Sequence, residues 1–484
     1  MHGATSPPRV GTGDKTVHDR IDDPDSRHPH ATMTVSTSPR AIPEPTAGVW
    51  PGLYDPPHSP LLAAGARAVV RSAVHRLPLL MEFPDGTRWG RGGPRLRVLR
   101  PDAFFSRLGR DGLIGLGEAW MAGDVTAGDW VPRPPGEGTT APPGEGATAP
   151  PGTGAAFPDG RTVAESTDEL TAALTVLARH AATLVPSPLR SLRRAWQHRL
   201  PTAEEGTVHV ARENAHRHYD LSNELFELML DPTLCYSSAW FEPGDSFEQA
   251  QLRKIDGVLD LARVGAGTRL IEIGCGWGSL AIRAAQRGAT VVGLTLSSQQ
   301  QQLARRRVAD AGVADRVQIL LQDYRVHAAG HPGAYTAAAS VEMIENVGEA
   351  FWPDYFRSVA GMLEPGARFG LQSITMSHDR LLATHRTYSW IGKYIFPGGR
   401  IPSVTAIQQN LAAHTSLRVL ESRTLGRFYG PTLRRWRHAF ADALPRVAEL
   451  GFDETFLRMW TFYLAYSEAG FEAGYLDDYQ LGIG

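Results

Sequence analysis

Apolar residues along this chain change their spacing at definite places, and each change predicts an element. From residue 61 the spacing is helical: Leu62, Ala66, Val69, Val70 and Ala73 lie near one face, with Arg67 and Arg71 on the other. Strand-like and short helical segments follow, as far as Gly112 to Met121. Two helical segments run between about Val163 and Leu200. Beyond residue 207 short apolar runs alternate regularly with amphipathic stretches. Asp245 is placed to cap a helix carrying Phe247, Leu252, Ile255 and Leu259. A strand over 269–273 precedes a helix from Trp277 to Gln286, and a strand over 290–294 precedes a Gln-rich helix from Ser298 to Ala311. Strands over 317–321 and 335–341, a helix from Phe351 to Leu363, and a strand over 368–374 complete the pattern. Strands alternating with helices imply a parallel sheet that binds its ligand at the C-terminal edge of the strands.

Two stretches break the pattern. Residues 1 to about 50 are rich in Pro, Ser, Thr, His and Asp without apolar periodicity, which predicts a disordered tail. Residues 132–160 carry the near-repeat Ala-Pro-Pro-Gly-Glu-Gly-Ala / Ala-Pro-Pro-Gly-Thr-Gly-Ala, which predicts a flexible insertion. They divide the 484 residues into a tail, an N-terminal domain over 51–200 interrupted by the insertion, and a catalytic domain over 207–484. A net charge of −2 gives no global basic field for nucleic acid. Two cysteines, Cys235 and Cys275, make neither a disulfide framework nor a C-x-x-C metal site, and a reducing cytoplasm is expected. There is no apolar N-terminal signal and no run of eighteen apolar residues.

Candidate chemistry centres on Leu270-Ile271-Glu272-Ile273-Gly274-Cys275-Gly276-Trp277-Gly278, followed about one helix later by Val291-Val292-Gly293-Leu294-Thr295. This is a β-loop-α-β unit whose glycines let a ligand approach the backbone. The third glycine comes early and Glu272 precedes the first by two residues. That is the form of an S-adenosylmethionine (SAM) loop rather than a dinucleotide fingerprint. The loop, Thr295, Asp323 and Glu345 all fall at the predicted ligand edge.

More specific text lies outside the loop: His218-Tyr219-Asp220-Leu221-Ser222-Asn223, Tyr236-Ser237-Ser238-Ala239, Gln322-Asp323-Tyr324-Arg325, Glu345-Asn346-Val347-Gly348, Lys393-Tyr394-Ile395-Phe396-Pro397-Gly398-Gly399 and Tyr429-Gly430-Pro431-Thr432-Leu433. Over about residues 207–480, and more faintly 61–131, the chain resembles the cyclopropane-fatty-acyl-phospholipid synthase and mycolic acid cyclopropane synthase family. The resemblance implies a Rossmann-like class I SAM-dependent methyltransferase domain, with a mostly parallel seven-stranded sheet, preceded by a smaller, mainly helical domain. It implies that Tyr236 and Ser237 close over SAM, that Glu272, Gly274, Gly276 and Gly278 form its loop, and that Thr295 and Gln300 serve the ribose. Asp323 with Tyr324 would meet the adenine, and Ile344 would lie near the methyl donor.

The implied reaction adds a methyl group to the cis double bond of a phospholipid acyl chain, and a bound bicarbonate removes a proton to close a cyclopropane. Glu345 and Tyr429 match the bicarbonate pocket. The family's His position reads Gln372, its Cys position Ser238, its neighbouring Ile is Ile374, and a further Cys position reads Ser467. Glu342-Met343-Ile344-Glu345 with Gln372-Ser373-Ile374 resembles a branch that includes makers of methylene- or methyl-branched chains, so the product stays open. The expected partner is unsaturated phospholipid at the inner face of a membrane, reached through helices near Leu62 and a basic Trp-bearing helix over 189–200; a homodimer is compatible. Other readings stand beside these: Glu345 as a helix cap, Tyr429 as a core residue, Asp323 as a strand-end turn residue, and His216-x-His218 as half a metal site that nothing completes. A small-molecule methyltransferase, or a SAM- or lipid-binding module without a base, are the rival functions.

Overall fold

The structure is a computed structural model that describes residue 50 and residues 52–128, 163–181, 222–385 and 387–484. The N-terminal tail up to residue 49, the Pro/Gly-rich insertion, the basic segment over 189–200, the His216–His218 pair and the boundary at 207 lie outside the described residues.

The first described part runs α1 (Pro60–Val74), β1 (Leu80–Glu82), β2 (Arg88–Gly90), β3 (Arg95–Val98), α2 (Pro101–Asp111), α3 (Leu113–Met121) and β4 (Val125–Ala127). Its four short strands pair in the order β2-β1-β3-β4, a sheet that apolar spacing in three- and four-residue runs does not announce. It shares one hydrophobic core with the C-terminal helices: Trp120 on α3 is buried against Phe462 and donates its indole N–H to the Arg458 carbonyl at 2.9 Å. Gly117 makes the approach possible, since a Cβ there would lie 2.3 Å from the Trp390 ring. The described residues accordingly form one compact unit.

After α4 (Val163–Arg179) and α5 (Phe247–Leu261), the catalytic part is a seven-stranded sheet. Its strands are β5 (Arg269–Ile273), β6 (Thr290–Thr295), β7 (Val317–Leu321), β8 (Tyr335–Val341), β9 (Leu363–Thr375), β10 (Val419–Thr424) and β11 (Asp477–Ile483). They lie in the order β10-β11-β9-β8-β5-β6-β7. Strands β5 to β9 are mutually parallel, and β11 runs antiparallel to β9 and β10. This is the Rossmann-like class I methyltransferase sheet that was expected. Strand order reverses between β5 and β8, which opens a crevice at their C-terminal ends.

Helices α6 (Ser279–Gln286), α7 (Ser298–Asp310), α8 (Tyr324–Gly330) and α9 (Trp352–Met362) flank the sheet, followed by α10 (Gly426–Asp442) and α11 (Glu454–Glu472). Small residues set how closely they pack: a Cβ on Gly370 of β9 would stand 2.4 Å from the Val258 carbonyl oxygen of α5. The cap of α5 is Ser246 rather than Asp245, because the Ser246 hydroxyl and the Gln249 side chain complete a capping box. Asp245 instead pairs with Arg253. The buried face of α5 includes Gln251 and Lys254, whose polar heads reach the 235–238 loop.

Candidate active site

A cavity lies at the switch point, lined by the ends of β5, β6 and β8 and by residues 322–325 after β7. The glycine loop forms its floor. Gly274, Gly276 and Gly278 all have positive φ, at 80°, 51° and 87°. The amides of Gly274 and Cys275 donate to the Leu294 carbonyl at 3.0 and 2.9 Å, so they tie the loop to β6. A Cβ on Gly276 would meet nothing within 4 Å, because the space beside it is the cavity. Gly278 is not in the lining; it starts α6 and packs against Ala304 of α7.

Glu272 lines the cavity, is 4% exposed, and has one carboxylate oxygen with no hydrogen-bond partner. Burial raises its carboxyl to about 8, against the opposing charge of Lys254. A buried acceptor with a vacant oxygen fits the cationic methionyl end of SAM. Thr295 and Gln300 line the far side and hydrogen-bond each other at 2.8 Å, as neighbours sharing one ligand face should. Asp323 reaches the cavity and also caps α8: its carboxylate takes the Arg325 amide at 2.8 Å and grips the Arg325 guanidinium at 2.8 and 2.9 Å. The strand-end turn reading therefore holds, at a position that also faces the cavity. Tyr324 lines the cavity, whereas Ile344 is fully buried outside the lining.

The opposite wall comes from the 234–237 loop and from Ile395, Phe396 and Pro397. Tyr236 shares a hydrogen bond with the Tyr463 hydroxyl at 2.7 Å, and Ser237 accepts from Lys254 Nζ. The Arg400 amide donates to the Glu345 carbonyl at 2.6 Å, which ties the Lys393–Gly399 segment to the end of β8.

Against this wall lies a cluster of buried acids, of which Glu342 reaches the cavity. Glu345 accepts at one oxygen from the Ser373 hydroxyl at 2.9 Å and the Ile374 amide at 2.5 Å; its other oxygen has no hydrogen-bond partner. It caps no helix. Burial and the charge of Glu342 push its carboxyl up to about 8. Tyr429, 5% exposed and stacked on Phe471, donates its hydroxyl to Glu342 and not to Glu345. The Ser238 amide and Gln372 Nε2 both donate to the other Glu342 oxygen at 2.9 Å. Gln372 also donates to Asp478 at 2.9 Å and accepts from Gln480 at 3.0 Å. Burial raises the carboxyls of Glu342 and Asp478, while Lys254 opposes the shift.

The residues expected to hold bicarbonate are thus brought together, but around a side chain of the protein. Tyr429, Gln372 and the Ser238 amide are committed to Glu342, and Glu345 and Ile374 to each other, so the donor set does not fit an added anion. Ser467 lies on α11 outside the cavity lining. Glu342, Lys254 and Asp478 were not among the expected site residues. For Glu342 a signal existed, an acid three residues before Glu345 at a predicted strand end. Asp478 lies on a strand with no legible pattern. No cluster of His, Cys, Asp or Glu suited to a metal occurs among the described residues.

Residues 207–481 match the protein family described as mycolic acid cyclopropane synthetase. The tuberculostearic acid methyltransferase UfaA1 of Mycobacterium tuberculosis is 43% identical over 463 residues, which is 93% of this chain and 98% of that protein. The cyclopropane-fatty-acyl-phospholipid synthase of Escherichia coli K12 is 37% identical over 258 residues, 53% of this chain and 63% of that protein. Among solved structures, the M. tuberculosis cyclopropane synthase MmaA2 covers 56% of this chain and 97% of its own, with a TM-score of 0.52 and 29% identity. The mycolic acid cyclopropane synthase CmaA1, complexed with SAH and CTAB, gives the same TM-score of 0.52 and 29% identity.

Proposed function

Because the chain belongs to the mycolic acid cyclopropane synthetase family, and is a SAM-dependent methyltransferase acting on fatty acids, we propose that it methylates the double bond of an unsaturated phospholipid acyl chain to give a methylene-branched product. The observation that carries the branched product is similarity to a methyltransferase, not a cyclopropane synthase, across nearly the whole of both chains. The cyclopropane product is the second reading, favoured by the match to the E. coli synthase over the catalytic part.

SAM bound in the cavity would supply an electrophilic methyl group, and the alkene π pair would take it as the carbon–sulfur bond breaks, leaving S-adenosylhomocysteine and a cation on the neighbouring carbon. Glu272, Gly276, Thr295, Gln300 and Asp323, which line the cavity, would hold the donor at the switch point. Tyr236, Ile395 and Phe396 wall the cavity with apolar surface, which keeps water from the cation. Loss of a proton then sets the product: from the new methyl with ring closure it gives a cyclopropane, and after a hydride shift it gives a methylene branch.

No described helix is long and apolar enough to cross a membrane, so we place substrate capture at the bilayer surface. Support comes from α1, a helix that carries Arg67 and Arg71 and on which Leu61 is 88% exposed. Fatty-acid methyl esters from cells expressing the chain test the product. Mild hydrogenation adds two hydrogens to a methylene branch and none to a cyclopropane. A product that resists hydrogenation and shows upfield ring protons selects the cyclopropane; the absence of any one-carbon-extended acyl chain refutes both readings.

A further inference from the structure

We infer that Glu342 is the proton acceptor of this enzyme, a built-in carboxylate standing where the family resemblance places a bound bicarbonate. The inference rests on the reaction proposed above. Its basis is a convergence: Tyr429 donates to one oxygen of Glu342, and the Ser238 amide and Gln372 Nε2 donate to the other at 2.9 Å. The amide of Ser238 has no alternative to donating. The orientation of Gln372 follows from the chain of bonds behind it, because Gln480 Nε2 donates to both the Lys254 carbonyl and Gln372 Oε1. All three groups therefore present hydrogen to an acceptor-only carboxylate.

A second anion would enter a pocket that already holds Glu342, Glu345 and Asp478 beside one lysine, Lys254. A further negative charge is opposed there by the same burial and mutual repulsion that raise the Glu345 and Asp478 carboxyls. Of these three acids, only Glu342 lines the cavity. It reaches there from a strained backbone: its φ is 49°, in the left-handed region, and its amide is pinned to the Gln372 carbonyl at 2.9 Å. Such a conformation is strained and persists where the surroundings over-determine it. Burial raises the proton affinity of Glu342, which suits a base.

The step balances. A C–H bond of the methylated cation breaks, and its electron pair forms the new ring bond or the double bond. The proton goes to a Glu342 oxygen.

Full-length protein is assayed with dioleoyl phosphatidylglycerol vesicles and SAM, in buffer stripped of carbon dioxide, with and without added bicarbonate. The parent should keep its turnover within about twofold on depletion. Glu342→Gly, which empties the slot and relieves the φ strain, should lose on the order of a hundredfold or more and recover partly with added bicarbonate or acetate. Glu342→Gln should lose as much without rescue, since its amide still fills the slot, while SAM affinity by calorimetry stays within about threefold. A parent that stops without bicarbonate and restarts with it overturns the inference, as does a Glu342→Gln variant at the parental rate. If Glu342→Gly fails to fold, the depletion of the parent and the Gln variant still decide. A parent that methylates no lipid in any buffer refutes the proposed reaction, whereas lipid product that depends on bicarbonate refutes only the role of Glu342.

Discussion

Glu272 makes SAM affinity pH-dependent in a way that can be worked out in advance. In the empty cavity burial holds its carboxyl at about 8, so near neutrality most molecules carry it protonated. A sulfonium and an ammonium placed beside it favour the ionised form, so binding expels the proton. If only the ionised form binds well, the apparent Kd equals the intrinsic Kd multiplied by one plus the ratio of protonated to ionised carboxyl. A value of about 8 then makes binding about 25-fold weaker at pH 6 than at pH 7.5. The ligand's own α-amino group, with a pKa of roughly 8, stays mostly protonated over that range and contributes little. Calorimetry in buffers of different ionisation enthalpy reads both quantities: Kd should fall as pH rises, and close to one proton should leave per SAM at pH 6. Glu272→Gln should bind more weakly at pH 7.5 and show a flat profile. A parent whose Kd is constant over the range refutes the reasoning. So does an unaltered slope in Glu272→Gln, which would move the titration to another acid.

Three further outcomes are expected. Gly276→Val should weaken SAM binding by about tenfold or more, because the side chain projects into the cavity from a φ of 51° that valine avoids; equal affinity by calorimetry would remove the loop from the site. Glu345→Gln should gain thermal stability relative to the parent as pH rises. The unfolded carboxyl ionises near 4.5 and the folded one near 8, so the parent folded state loses stability across that window and the variant does not; a pH-independent difference in Tm would contradict this. Arg437→Met should cost about 3–5 kcal/mol in denaturant unfolding, since Arg437 and Glu468 are both 1% exposed and paired at 2.9 Å, and Arg437 also holds Asp168 of α4; a loss below about 1 kcal/mol would show the pair to be replaceable.

Much of the catalytic fold was legible because its strands and helices carry local signals. The five parallel strands β5 to β9 carry short, mostly apolar runs, and glycines mark the turn after β5. The glycine loop, Thr295 and Asp323 could be placed at that edge from the pattern and Gln300 from the resemblance, and Glu272, Gly274, Gly276, Thr295, Gln300 and Asp323 do line one cavity. Strands β10 and β11 were not legible: β10 is mostly exposed at the sheet edge, and β11 buries Asp478 and Gln480 among its apolar positions, so neither shows a clean period. The family resemblance grouped Glu345 with Tyr429. Only the tertiary structure decided that Tyr429 meets Glu342, because that contact depends on α10, β9 and the end of β8 converging from positions up to 87 residues apart, and on a φ of 49° that turns the Glu342 side chain toward them. Local pattern determines which residues reach the rim of a sheet; long-range packing decides which of them share a proton.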